Sequence, residues 1–110
     1  MKIITVIAEQ VSPEALNAAL PADGIIAVSV TETWSFSRTA ESVDPYRGVK
    51  VAESFTPGFR IEMEVEDTAV GAAIEGIAFA RSAGLFGDAR VHLSEGVSVD
   101  VFAASRPLAA

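Results

Sequence analysis

Apolar and polar residues alternate most cleanly between positions 58 and 66. Phe59, Ile61, Met63 and Val65 fall on one face of an extended segment, and Arg60, Glu62, Glu64 and Glu66 fall on the other. A period of two marks a half-buried strand. Residues 2–8, dense in Ile and Val, read as a buried first strand. Across 25–34, Ile26, Val28 and Val30 share a face opposite Ser29, Thr31 and Thr33, which predicts a second strand. Two helices separate these strands from their neighbours. Ser12-Pro13-Glu14 is a helix start, with Ser as N-cap, Pro at the first helical position and an acid in the first turn. Ala15, Leu16, Ala19 and Leu20 form its apolar face, and Pro21 and Gly24 end it. Asp67 is placed to cap a second helix through about Ala83, with Val70, Ile74, Ile77 and Arg81 along one stripe and Gly84 as the stop. Val91 and Leu93 mark a further strand, and Val97, Val99 and Val101 a short last one.

The order is β-α-β, a long connection, β-α-β and a terminal strand. It predicts a single α+β domain over residues 1–110, a ferredoxin-like βαββαβ sandwich with two helices on one face of an antiparallel sheet. The stretch from about 37 to 56 shows no pattern in this reading and is expected to be a flexible loop; residues from about 104 to 110 are expected to be a loose tail. A loop of about twenty residues inside so small a domain is expected to recognise something. It holds Arg38, Arg47 and Lys50 beside Glu41, Asp44 and Glu53, with Tyr46 and Phe55 among them.

Composition narrows the chemistry. Half of the residues are hydrophobic, enough for a core, and no apolar run reaches the length of a membrane span. The apolar start at residues 3–8 is too short for a secretory signal, so a cytoplasmic location is expected. With no cysteine and one histidine, His92, thiolate chemistry and a multi-histidine metal site within one chain are excluded. The net charge of −7 leaves no footprint for nucleic acid. Four of the eight basic residues, Arg38, Arg47, Lys50 and Arg60, lie between 38 and 60; an acidic body with this local basic segment suits a small anion or an acidic protein patch.

Gly84-Leu85-Phe86-Gly87-Asp88-Ala89-Arg90 is a candidate ligand loop. Glycines can expose backbone N–H groups to phosphate, and Arg90 can complete the cradle. The same residues also read as a helix C-cap followed by a tight turn. Tyr46, Arg47 and Lys50 are candidate partner-reading residues, since Tyr and Arg are enriched at the energetic centres of interfaces. Glu62, Glu64 and Glu66 share a strand face that suits solvent or a subunit contact better than a metal, and no nucleophile accompanies them for catalysis.

Phe36, Arg38, Tyr46-Arg47-Gly48, Phe55, Pro57 and Ile61-Glu62, with Val30-Thr31-Glu32 before them and Gly84…Gly87-Asp88 after the second helix, resemble the pattern of the P-II signalling superfamily. The resemblance spans most of the chain. It implies a homotrimer with a long T-loop between the second and third strands, non-enzymatic and cytoplasmic. A small effector such as AMP, ADP, ATP or a bicarbonate-like anion would sit in clefts between subunits, with no obligatory cofactor. The T-loop would dock on a membrane transporter or an enzyme. By the same resemblance Ser29 falls where the family touches the nucleotide base. Ser35, Ser37 and Arg38 fall at the T-loop base near phosphates, and Gly87, Asp88, Ala89 and Arg90 in the nucleotide loop. Departures are equally specific. Val51 replaces the tyrosine of members controlled by nucleotidylation. Thr39 and Gly58 replace the glutamine and lysine that hold 2-oxoglutarate with its magnesium. Asp100 and Phe102 replace a phosphate-binding pair of arginines, and Ala89 replaces a second glycine. The pattern resembles divergent members tied to bicarbonate or carboxysome systems. A ligand-free interaction module of the same fold is the alternative.

Overall fold

Strand β1, Lys2–Ala8, runs through the middle of the sheet, because Ile4, Val6 and Ala8 all point into the core on one side. The computed structural model describes residues 1–44 and 48–99, and the side chains of 1–38 and 53–99. Helix α1 is Pro13–Ala19, β2 is Ile25–Asp44, β3 is Gly48–Val65, α2 is Val70–Ser82 and β4 is Ala89–Glu95. The sheet has the order β2-β3-β1-β4, and each neighbouring pair is antiparallel. With both helices packed together on the sheet, this is the ferredoxin-like α+β sandwich expected from the pattern. Among the described residues no helix is long and apolar enough to cross a membrane.

The local signals act largely as read. The Ser12 hydroxyl accepts the Ala15 N–H at 3.1 Å and caps α1, with Pro13 opening the helix. Helix α2 ends where expected. The Gly84 N–H donates to the Arg81 carbonyl and the Leu85 N–H to the Ala80 carbonyl, with Gly84 at φ 78°. That pair of bonds is the glycine-dependent helix stop that satisfies the last carbonyls.

Four expectations need correction. Asp67 does not cap α2. The chain enters the helix through a 3₁₀ turn, Asp67–Ala69, closed by the Ala69 N–H on the Glu66 carbonyl, with no side-chain cap. The inward stripe of α2 is Ala73, Ile77 and Ala80, continued by Ala69 of the 3₁₀ turn, whereas Ile74 and Arg81 are exposed. The strands carry the bulky residues, so small residues must face them for the layers to meet without overlap. A β-bulge between Ile25 and Ala27 leaves Ile26 out of the ladder, so Ile25, Val28 and Val30 share the helix side instead. Finally, the short last strand does not form over its described part: β4 ends at Glu95, Val97 and Val99 are exposed outside any strand, and Val101 lies outside the described residues.

The largest difference is the loop. Its described residues form two arms of one antiparallel ladder, which continues β2 and β3 from Thr33↔Gly58 out to Asp44↔Gly48. One face of this ribbon carries Trp34 opposite Pro57 and Phe36 opposite Phe55; the other carries Ser35 opposite Thr56 and Ser37 opposite Ser54. That alternation has the strand period of two. Pro57 fits here because β1 stops opposite Phe59, so beyond that point β3 has a free edge.

The alanine faces bring α1 and α2 together closely. A Cβ at Gly76 would sit 2.0 Å from the Ala19 carbonyl oxygen, a backbone atom that cannot swing aside. Gly76→Ala is therefore expected to cost about 3 kcal/mol through overpacking. Gly71→Ala, at a helical position with nothing within 4 Å, is expected to gain up to about 1 kcal/mol. Denaturant midpoints of the two variants should move in opposite directions.

Candidate functional site

The ribbon and the turn between α2 and β4 leave the sheet at the same end. Glu32, Phe59, Ala8 and Ala89 lie side by side across the four strands. Past that row β2 and β3 run on as the ribbon, β1 gives way to Glu9, and the chain arrives at β4 from Gly87-Asp88. Phe86 is fully buried and anchors the turn, and its carbonyl accepts the N–H groups of Glu9 and Gln10 at 3.1 and 3.3 Å. The Gln10 side chain donates to the Gly84 carbonyl at 2.9 Å.

The amides of the turn are largely engaged within the protein. Gly84 donates to Arg81 and Gly87 to Gly84. The Asp88 N–H donates to Glu9 Oε1 at 3.1 Å, so this amide is taken by a carboxylate of the chain itself. The Asp88 carboxylate faces Arg81 Nη2 at 3.4 Å. Gly87 has φ 66°, and a Cβ there would lie 3.0 Å from the Glu9 Cβ, so only glycine lets Glu9 approach. Ala89 is buried as the first residue of β4. Arg90 is exposed on the helix-free face, beside Ile7 and two strands from Thr31, with Arg60 between Ile7 and Thr31.

On the ribbon, the hydroxyls of Ser37 and Ser54 lie 3.0 Å apart. Arg38 Nε reaches Glu53 Oε1 at 3.2 Å, and its guanidinium lies 5.8 Å from the centre of the Phe36 ring. Both partners of that ion pair are more than half exposed, so it is worth about 0.2–1 kcal/mol and leaves Arg38 able to change partners. The rings of Phe36 and Phe55 pack with centres 5.2 Å apart. Ser35 is exposed on the hydroxyl face. Ser29 is exposed on the helix-free face of β2 next to Glu62, but eight positions from Ser37 along one strand, roughly 27 Å. One copy of the chain therefore brings Arg90 and the turn to the ribbon base but leaves Ser29 apart from Ser37. Tyr46 and Arg47 lie outside the described residues, and Lys50 lies in the part of β3 where only the backbone is described. Asp100 and Phe102 also lie outside the described residues.

Glu9 is the residue that the sequence alone does not single out. It touches the turn and also lines a cleft with Glu32 to Trp34 and Pro57 to Phe59 at the ribbon base. A carboxylate directly after a buried strand was the available signal. Its meaning depends on a contact 79 residues away.

The chain is thus a ferredoxin-like domain with a projecting two-stranded ribbon and a glycine turn at its root. The comparisons give its family. No family model matches the chain. Over 91 residues it is 34% identical to the nitrogen regulatory protein P-II of Rhizobium etli, an alignment that covers 83% of this chain and 81% of that one. It is 30% identical over 95 residues to the nitrogen regulatory protein GlnK of Escherichia coli K12, covering 86% and 85% of the two chains. Among solved structures, a GlnK–ATP complex of B. subtilis matches with a TM-score of 0.68 at 18% identity over 84% of this chain and 81% of that one. A second structure of B. subtilis GlnK matches with a TM-score of 0.62 at 20% identity, over 84% and 82%. The chain belongs to the P-II family of regulatory proteins, and the structural matches show its fold.

The ribbon geometry is testable by amide exchange. Phe36→Ser removes the cross-strand ring pair, worth about 0.5–1.5 kcal/mol beyond its buried area. Amides at 33–38 and 53–58 are expected to exchange faster in this variant while those of β1 keep their protection. Unchanged exchange in the ribbon would show that the ring pair does not hold it.

Proposed function

We propose that this chain is a non-enzymatic P-II-type regulator that works as a homotrimer in the cytoplasm. It senses an adenine nucleotide or a bicarbonate-like anion between subunits and controls a membrane transporter or an enzyme through the tip of its ribbon, around Tyr46, Arg47 and Lys50. The observation that carries the reading is the common end of the sheet. The ribbon and the Gly84–Arg90 turn rise from it together, joined by Glu9. A ligand at the turn thus reaches the root of the arm that reads the partner. Such a ligand shifts the arm by its difference in affinity for the two arm states.

Two facts support assembly. Ser29 and Ser37 stand roughly 27 Å apart along β2, farther than one small ligand comfortably spans within a copy, which favours a site shared between copies. Apolar residues of both edge strands also stay exposed, among them Val30 on β2 and Val91 and Leu93 on β4. GlnK of B. subtilis forms a complex with ATP; for this chain a nucleotide is the effector proposed by kinship. A second reading, an interaction module without a ligand, is favoured by one observation: the turn's amides are already engaged, Asp88 by Glu9.

Light scattering is expected to give three times the chain mass, and a monomer at micromolar concentration would defeat the trimer. Calorimetry with AMP, ADP, ATP, cyclic AMP and bicarbonate is expected to find binding with less than about a tenfold gain from the γ-phosphate. Each lost arginine contact forfeits about 1.5–3 kcal/mol. Arg90→Ala should weaken nucleotide binding, and Glu9→Gln should strengthen it by removing a carboxylate from the anion's position. Binding of none of these ligands, in the native chain and in Glu9→Gln alike, would leave the interaction module as the reading.

A further inference from the structure

Helix α2 has a second face beside the one that packs on the sheet. Ile74, Ile77, Ala78 and Arg81 stand at the spacing i, i+3, i+4 and i+7, which brings them onto one side of a helix. Three of them belong to the stripe expected from the sequence, and the core does not use it, since Ile74 and Arg81 are exposed. The stripe has another neighbour. β4 is an edge strand, and its helix-side residues Ala89 and Val91 meet α2 across a groove of about 370 Å³. Ile77 and Ala89 are buried at its base, and Ile74, Ala78 and Val91 leave apolar surface open above them. Arg81 Nη2 reaches Asp88 Oδ1 at 3.4 Å, which fixes the guanidinium at the end of the groove where β4 begins. Ser82 lines the same groove.

This layout selects an amphiphile. The walls are apolar, and Arg81 is the one charged lining residue among those described. The pair with Asp88 joins two side chains that are both more than half exposed, so it is weak and exchanges readily. It engages one nitrogen of a fork that can hold a carboxylate through two parallel hydrogen bonds. A single cation with one fork matches one carboxylate; a polyphosphate would leave most of its charge against apolar walls. Arg81 stands about two turns beyond Ile74, roughly 10 Å along the axis, which is the length of a straight chain of about eight carbons. The volume falls at the small end of ligand pockets, roughly 300–1,000 Å³. We infer that this groove binds a medium-chain aliphatic monocarboxylate, its head on Arg81 and its chain along Ile77 and Val91 toward Ile74. The inference stands apart from the nucleotide reading, because Arg90 lies on the helix-free face of β4 whereas Ala89 and Val91 lie on the helix side.

Octanoate is titrated into the full chain below its micelle concentration while amide and methyl shifts are followed by NMR. Saturable shifts are expected at residues 74–82 and 89–91 and not along the ribbon. From butanoate to octanoate the affinity should rise about two- to fourfold per methylene, the upper figure being that of a fully buried one. Octanamide, the uncharged isostere, should bind at least about tenfold more weakly, and Arg81→Gln should lose as much for octanoate. Asp88→Asn removes the competing carboxylate and should tighten binding. Ala78→Phe, at an exposed helical position away from the turn, should fill the groove and abolish binding, whereas Glu75→Gln, an exposed acid on another side of α2, should change nothing. Equal binding of octanamide, an affinity that ignores chain length, or unaltered binding in a folded Ala78→Phe variant would overturn the inference. If that variant fails to fold, the chain-length series and the amide comparison on the native chain still decide. A scattering mass that falls as octanoate is added would assign the groove to a second copy and overturn it likewise. Ala78→Phe is expected to leave nucleotide binding unchanged, so failure of one reading is distinct from failure of the other.

Discussion

A thin helical layer is the constraint on which the rest of this structure depends. The fully buried residues of α1 and α2 are all alanine except Ile77, with Leu16 and Val70 half-buried beside them, and the two helices close to backbone contact at Gly76 and Ala19. A layer that thin and narrow covers the two central strands and little else. Ile4, Val6, Ile61, Met63 and Val65 on β1 and β3 are wholly buried, whereas among the described side chains of the edge strands β2 and β4 only Ala89 is buried. Burial of apolar surface is worth about 25 cal/mol per Å². The covered strands therefore hold the fold, and the uncovered edges keep surface that gains from meeting another chain.

The same constraint explains where the arm is rooted. β3 is a core strand for half of its length and an arm of the ribbon for the other half. Its inner half cannot slip, because a shift of one residue would turn Ile61, Met63 and Val65 out of the core. Motion of the arm must then be taken up near Phe59 and Gly58, where β1 stops and Glu9 reaches across to Asp88. The glycine turn meets Glu9, just past the end of β1, through a polar contact on the surface, which can exchange partners without unpacking the core.

The fold was legible in the sequence wherever one local signal had one physical meaning. The period of two in 59–65, the Ser12-Pro13 start and the Gly84 stop all act as read. The readings that failed needed packing information. Ranking residues by size put Ile74 and Arg81 on the inner stripe of α2, but the bulk of the facing strands demands alanines there. The bulge at Ile26 is invisible to a simple alternation, since one inserted residue reverses every side chain beyond it. The ribbon does carry a strand period, Trp34 and Phe36 against Ser35 and Ser37, yet its aromatics are half exposed and look like loop residues when burial is taken as the sign of a strand. The glycine turn could be found from spacing, but not the engagement of its amides, because the acceptor Glu9 lies at the far end of the chain.

That last contact bears on how a regulatory fold changes what it senses. The scaffold requirements fall on residues such as Ile61, Met63 and Gly76, none of which faces the ribbon root. The charges at the root rest on a few exposed side chains and can change without loss of the fold. Here the root is acidic, with Glu9 on the turn and Glu32 at the cleft beside it. A carboxylate bonded to the turn's amide opposes any anion there whether or not the glycines around it are kept. The glycine spacing therefore fixes the shape of the turn, and the charge beside it, which the spacing does not reveal, fixes its electrostatics.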